Sequence, residues 1–326
     1  MLRAQGPRRR TVRALLLAFG LTLSEPALAQ QPFDIDSPTP SPPAPSGTEQ
    51  AVVTRYWELG RPRLFLATMA EGGYAYVRPR FALGYGQPYW RWIGIEAYPL
   101  LSLSGLGQYV GLGGAVPGLT ARVGARYTYP LARDYLEPRS SYDRLDLELR
   151  KTEPAKYLAL EAEVAATVPV LVGSMFAIVT AYRVELVPAD LFVFEENLRQ
   201  IMEPPYIWRA RLGYLVGFGK DGSIRIGAAA EYIGIPGREE HVVRAGVLGS
   251  VLINAHLEAQ ASLIPVILSP DRLGLAGGDF GQLGVRFHWA TGSKPDPKRV
   301  RQVLIDREKR RAKERGDDAL PEEARP

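Results

Sequence analysis

Arginine is the residue type in this sequence with the clearest chemical signature. In long stretches of the chain every second side chain is apolar, and the positions between carry charged residues or glycine, as with Arg209 and Arg211 in residues 208–218. A planar guanidinium suits carboxylates and phosphates, so such a charged face predicts either anion recognition or internal ion pairs. The candidate lumen-lining residues on this face are Arg78, Arg80, Arg122, Arg126, Arg144, Arg150, Glu161, Glu163, Arg183, Glu185, Arg209, Arg211, Arg225, Glu231, Arg244, Glu258 and Arg286.

Residues for nucleophilic or metal chemistry are scarce. The chain has no cysteine, which excludes disulfides and thiolate chemistry, and three histidines, His241, His256 and His288. His256 shares a strand face with Glu258 and Ser262, but that face is predicted to point into a lumen rather than to a membrane surface. His288 is predicted to be interfacial. No metal-binding motif is present, so we expect no catalytic residue, no metal and no cofactor.

The charged and apolar rows require extended strands, because successive strand side chains point to opposite faces. Many of the alternating runs are about 9–13 residues long, close to the roughly 9–11 that a tilted strand needs to cross a bilayer. Ordinary globular strands average about 5–6 residues. We predict twelve strands, with ten or fourteen left open, at 62–70, 74–85, 89–100, 119–130, 142–151, 156–168, 174–187, 206–219, 222–234, 241–253, 255–267 and 280–290.

Aromatic residues near the strand ends support a membrane location for this sheet. Two interfacial girdles of aromatics are typical of outer-membrane barrels, and closed barrels are the only sheets that satisfy every backbone group in lipid. A soluble β-protein is the alternative that the alternation leaves open. The aromatics near strand ends are Tyr89, Trp90, Trp92, Tyr98, Tyr127, Tyr129, Tyr206, Trp208, Phe218, Tyr232, Phe287 and Trp289.

The segments between the strands predict long loops on one side and short turns on the other. The glycine-rich residues 105–118 are interpreted as a flexible loop, and residues 190–198 as a short helix that folds into the barrel mouth or lies outside it. Residues 131–141 are too long for an ideal periplasmic turn and are the weakest point of the strand count.

Both ends of the chain differ from the barrel region. Residues 1–29 read as a signal peptide, with an arginine-rich start, an apolar run too short to span a bilayer, and Ala27-Leu28-Ala29. Residues 30–61 form a proline-rich periplasmic linker, residues 62–290 the barrel, and residues 291–326 a charged periplasmic tail that is partly helical. The net charge of +5 is carried by the two ends, which argues against nucleic-acid binding.

The last predicted strand, Phe280 to Trp289, resembles the closing signal strand of bacterial outer-membrane β-barrels. It alternates Leu283, Val285, Phe287 and Trp289 and ends on an aromatic, although 37 residues follow it. The resemblance is to the superfamily, and implies recognition by the barrel-assembly machinery and outer-membrane lipid around the barrel. A cell-wall or periplasmic contact through the tail is a further expectation.

These features predict an all-β fold: a transmembrane antiparallel up-and-down β-barrel of about twelve strands, with a short C-terminal helix, in the outer membrane of a Gram-negative-type envelope. The arginine excess predicts a porin-like passive channel that transports small solutes and prefers anions. Two alternatives stay open: a non-conducting structural or partner-binding barrel whose charges pair across its interior, and, less favoured, a barrel enzyme.

Overall fold

The computed structural model describes residues 61–73, 76–102, 104–148, 153–219, 223–280 and 283–292. The predicted signal peptide, most of the linker and tail, the C-terminal helix and Arg150 lie outside these residues. No described helix is long and apolar enough to span a membrane.

The barrel strands form one antiparallel sheet that closes on itself. Its strands are β1 (Arg63–Gly73), β2 (Tyr76–Gln87), β3 (Arg91–Ser102), β4 (Gly105–Val116), β5 (Leu119–Pro130), β6 (Tyr157–Val170), β7 (Gly173–Glu185), β10 (Tyr206–Phe218), β11 (Ile224–Ile235), β12 (Glu240–Leu252), β13 (Leu257–Leu263), β14 (Val266–Leu268) and β15 (Gly284–Ala290). Neighbouring strands pair in sequence order from β1 to β7 and from β10 to β13; β7 pairs with β10, and β15 closes the ring by pairing with both β1 and β13. β14 continues β13 along β12, so these two count as one and the barrel has twelve strands.

The predicted count of twelve is right, but two of its segments were wrong. Residues 105–116, predicted as a loop, form β4, and residues 142–151, predicted as a strand, contain the helix α1 (Arg144–Glu148) instead. In β4 the outward row holds Leu106, Val110 and Leu112, while glycines occupy most of the inward row. An inward glycine leaves room for large neighbours: a Cβ on Gly111 would lie 2.3 Å from the Tyr109 hydroxyl.

The loops sort by length once these segments are corrected. One rim, the loop side, carries the long connections 131–156, 186–205 and 269–283, and the other, the turn side, carries 88–90, 117–118, 171–172, 219–223 and 253–256. The strands at the two ends of the described barrel, β1 and β15, both have their free ends on the turn side. The long segment at 131–141, which was awkward as a turn, thus belongs to a loop-side connection.

The predicted helix at 190–198 is also wrong. Asp190 has a positive φ of 61° in a turn, and the segment continues as a β-hairpin of β8 (Val193–Glu195) and β9 (Gln200–Met202). Every residue of the two short strands is buried. The hairpin folds into the barrel, where it pairs with no barrel strand and is held by side chains.

Candidate functional site

The hairpin β8–β9 fills the loop-side half of the lumen with apolar side chains. Leu198 and Met202 are fully buried against Tyr157 of β6, Tyr182 of β7 and Ile233 of β11. Burying apolar area here stabilises the inserted hairpin by the same hydrophobic effect that forms a soluble core. The loop-side half of this barrel is therefore a packed core and not an open passage.

A second apolar layer covers the hairpin on the loop side. Tyr142 and Leu147, from connection 131–156, pack with Phe192 beside the hairpin and with Leu273 from connection 269–283. Arg238 ties this layer to the rim through two hydrogen bonds to Asp271, at 2.6 and 2.9 Å. All three long connections thus contribute to one lid over the lumen.

The electrostatics of this lid follow from its burial. Burial raises the pKa of Tyr142 to about 12, because the phenolate would lose its water. Burial alone would lower the pKa of Arg238, but the hydrogen bonds and charge of Asp271 outweigh it and raise that pKa. In the hairpin turn, burial raises the pKa of Glu196.

A fully buried arginine anchors the hairpin to the barrel wall. Arg126 of β5 pairs with Glu161 of the neighbouring strand β6 and with Glu195 of the hairpin, and it donates a hydrogen bond to the Thr128 hydroxyl at 2.6 Å. Glu195 also accepts the Leu198 N–H at 2.6 Å. Buried charges are tolerated only when paired and hydrogen-bonded, and each group of this triad meets that condition.

A second charged cluster lies around Glu231 of β11. Its carboxylate contacts Arg211 at 2.5 Å, Arg244 at 2.8 Å and Arg209 at 3.8 Å. Arg244 also donates to the Leu198 carbonyl at 2.6 Å, which links this cluster to the hairpin.

Asp279 extends this cluster into the loop-side connection 269–283. It accepts a 2.5 Å hydrogen bond from Arg211. Burial would raise the pKa of Asp279, but the charge and hydrogen bond of Arg211 hold that pKa below its ordinary value. Asp279 is therefore ionised and bound to the wall.

A third cluster joins the two ends of the barrel. Glu71 of β1 pairs with Arg286 of β15 at 2.7 Å and with Arg78 of β2. Arg286 also lies 3.8 Å from Glu258 of β13. The Glu71–Arg286 pair crosses the seam between β1 and β15 and supports closure of the ring, and the other two contacts join each of these strands to its other neighbour.

Most of the sequence-predicted lumen residues lie on inward-facing positions of the described strands. They are Arg78, Arg80, Arg122, Arg126, Glu161, Glu163, Arg209, Arg211, Arg225, Glu231, Arg244, Glu258 and Arg286.

The predictions for Arg183, Glu185 and Arg144 were wrong. Arg183 and Glu185 pair with each other on the outer face near the loop side, at 2.6 Å, with side chains 53% and 38% exposed. The inward row of β7 carries Phe176, Ile178, Tyr182 and Val184, because it packs on apolar groups in the lumen. Arg144 lies on helix α1, exposed and paired with Glu148.

Three functional carboxylates were missed. Glu71 ends an inward row that begins with apolar residues, and Glu195 and Asp279 belong to connections that fold inward. Their charges offset part of the arginine excess inferred from the strands alone. Nothing in the sequence around Glu195 predicts that it faces the lumen. Glu71 could have been predicted, because it continues the alternating row of Phe65, Ala67 and Met69.

The histidines differ in exposure, and His256, which directly precedes β13, is a neighbour of His288 on β15. His241 is exposed and stacks on Tyr232 of the outer face, with ring centroids 5.5 Å apart. His288, predicted to be interfacial, is fully buried with its ring 5.3 Å from Tyr89. His256 Nδ1 lies 2.8 Å from the His288 carbonyl oxygen. Within the described residues, no group of three His, Asp or Glu could hold a metal ion.

Comparisons with known proteins found similarity in structure but not in sequence. No protein-family model matches the sequence, and no curated protein matches it significantly. Five solved chains match the structure, and one is OmpTdeltaL8, a loop L8 deletion mutant of OmpT, an outer membrane protein of Vibrio cholerae. The alignment has 8% identity and a TM-score of 0.29, and covers 70% of this chain and 97% of that one. The sheet itself, closed in register from β1 to β15, has the architecture of bacterial outer-membrane β-barrels.

Proposed function

We propose that the protein is an outer-membrane barrel whose lumen is closed by its own hairpin, and that it acts as a structural or partner-binding protein. The observation that carries this proposal is the buried hairpin β8–β9, tied to the wall by Arg126 and Arg244. An open diffusion channel needs a continuous watery path, and packed apolar side chains occupy the loop-side half of this lumen.

The outer face supports the membrane location. Its apolar row is broadly exposed, for example at Leu83, Leu112 and Val123, as expected for side chains that meet lipid. Exposed aromatics lie near both rims: Tyr127, Tyr129, Tyr206 and Tyr232 toward the loop side, and Tyr85, Phe218, Phe287 and Trp289 toward the turn side. With the usual asymmetry of such barrels, the turn side faces the periplasm.

Assembly and contacts with other envelope components remain part of the proposal. Strand β15 closes the barrel and presents Val285, Phe287 and Trp289 outward, where assembly machinery and lipid could both meet them. The tail, for which a cell-wall or periplasmic contact is expected, lies outside the described residues. We propose no catalytic role, since His256 contacts a backbone carbonyl and Glu258 lies against Arg286.

A passive channel for small anionic solutes is the second candidate function. The observation in its favour is that two arginines, Arg126 and Arg244, bind the hairpin and would face water if the hairpin left the lumen. Such a lining would favour anions.

Single-channel recording in planar bilayers separates the two functions. For the wild type we expect no stable conductance. A variant with residues 191–203 replaced by an equally long Gly-Ser linker should show anion-preferring conductance, and the further change Arg126→Gln should weaken that preference. Stable anion-selective conductance of the wild type would overturn the closed-barrel proposal and support the channel.

A further inference from the structure

A cavity lies in the turn-side half of the lumen, away from the hairpin. Centres of water-sized molecules can occupy about 60 Å³ of it, and it is open on one side. Strands β1 to β6 form its walls. One wall is apolar and consists of Phe65, Met69 and Trp92. Phe65 and Met69 are buried residues of β1. The Phe65 and Trp92 rings meet edge to face at 5.9 Å, which gives this wall a fixed shape.

The deeper end of the cavity is polar and carries both signs of charge. Arg80, Glu96, Arg122 and Glu163 line it, and Arg122 lies 3.1 Å from Glu163. A guanidinium has five N–H donors, so this contact leaves Arg122 able to bind a further acceptor.

Glu96 distinguishes this end from the paired clusters elsewhere in the lumen. Its side chain is only 8% exposed, yet its Oε2 atom has no hydrogen-bond partner among the described residues. The carboxylate lies over Gly113, where a Cβ would come within 2.8 Å of Glu96 Cδ. A buried acceptor without a donor costs free energy, so it is a natural place for the donor group of a ligand.

We propose that this cavity and its open mouth bind a small zwitterion with an apolar side chain, with the chemistry of a free aliphatic amino acid. The ligand's ammonium group donates to Glu96, its carboxylate accepts from Arg122, and its side chain lies toward Phe65, Met69 and Trp92. An ammonium ion alone would face the nearby arginines, and a carboxylate alone would face Glu96. A ligand with both charges satisfies both groups.

Isothermal titration of the full mature chain in lipid nanodiscs tests this proposal with three probes. L-Leucine carries both charges, 4-methylpentanoate keeps only the carboxylate, and 3-methylbutylamine keeps only the ammonium. We expect leucine to bind and each fragment to bind at least about tenfold more weakly, since each lacks one charge-assisted contact.

Variants locate the binding. Glu96→Gln should weaken leucine binding roughly tenfold, because a charged acceptor becomes a neutral one, and Ala115→Leu should abolish it by filling the cavity. Glu258→Gln, a buried carboxylate outside the cavity, is the matched control and should bind like the wild type. Heat-modifiable migration in gels confirms that each variant is folded.

Three results would overturn the proposal. One is a wild type that does not bind leucine. Another is leucine binding that survives both Glu96→Gln and Ala115→Leu. The third is a fragment that binds as tightly as leucine. None of these measurements depends on whether the hairpin closes the lumen, so the two proposals fail separately.

Discussion

The two halves of this lumen are filled in different ways. At the loop side, long connections bring their own apolar side chains and carboxylates, so Leu198 packs on the wall and Glu195 pairs with Arg126. At the turn side, the connections are too short to reach inward, and strand side chains alone must occupy the space. They leave a cavity beside Phe65 and Trp92. The loop-side half is therefore filled by connections as well as by strand side chains, whereas the apolar clusters toward the turn side are built from strand residues.

The largest effect should come from breaking the charge cluster that supports the filled half. Glu231→Ala would leave Arg244 buried without its carboxylate and Arg211 with Asp279 alone, which costs about 3–5 kcal/mol for a broken buried pair. Urea unfolding in lipid vesicles measures the loss of unfolding free energy.

The outer face supplies the control for that variant. Glu185→Ala removes an exposed pair with Arg183 and should change stability by less than about 1 kcal/mol. Equal losses for Glu231→Ala and Glu185→Ala would contradict the assignment of Glu231 as a buried cluster.

The next largest difference should come from substitutions that change side-chain packing in one half or the other. Leu198→Ala removes a fully buried side chain of the hairpin and should cost about 2–5 kcal/mol. Ala115→Leu adds volume beside the turn-side cavity and should change stability by about 1 kcal/mol or less, because space is present for it. The same unfolding assay measures both, and a loss for Ala115→Leu as large as that for Leu198→Ala would show that the turn-side half is packed too.

A smaller effect should depend on pH through the hairpin turn. Burial raises the pKa of Glu196, so the folded state favours its protonated form. Its contribution is fully present below the ordinary pKa of a glutamate and is lost as the pH rises through the raised folded-state pKa. Compared with Glu196→Gln, the wild type should therefore lose stability with rising pH across that window. Parallel pH profiles of the two proteins would contradict this role.

The sequence predicted the barrel because lipid imposes strict alternation on the outward row. It predicted individual strands less well. Strand β4 was hidden because glycines replace the charged inward residues, and residues 142–151 imitated a strand because Leu145 and Leu147 happen to alternate in a helical loop segment. The number of strands was right because these two errors cancelled.

The interior was harder to predict than the wall. Alternation assigns charged residues to the lumen, which holds for Arg209 and Arg211 but fails in β7, where the inward row is apolar and Arg183 points out. The reason is that the hairpin, which lies in the connection directly after β7, supplies an apolar partner for Tyr182 and Val184. Local periodicity contains no information about such a partner. The inward position of the hairpin and of its carboxylate Glu195 therefore could not be predicted from the sequence pattern.

Cysteine labelling tests the closed lumen most directly, because the natural chain has no cysteine to interfere. Met202→Cys places a thiol in the hairpin at a fully buried position, and Leu145→Cys places one on helix α1 where the side chain is 64% exposed. With a polar maleimide added to the folded protein in vesicles, Leu145→Cys should react rapidly and Met202→Cys only after unfolding in urea. Labelling of both thiols at similar rates in the folded protein would contradict the closed lumen.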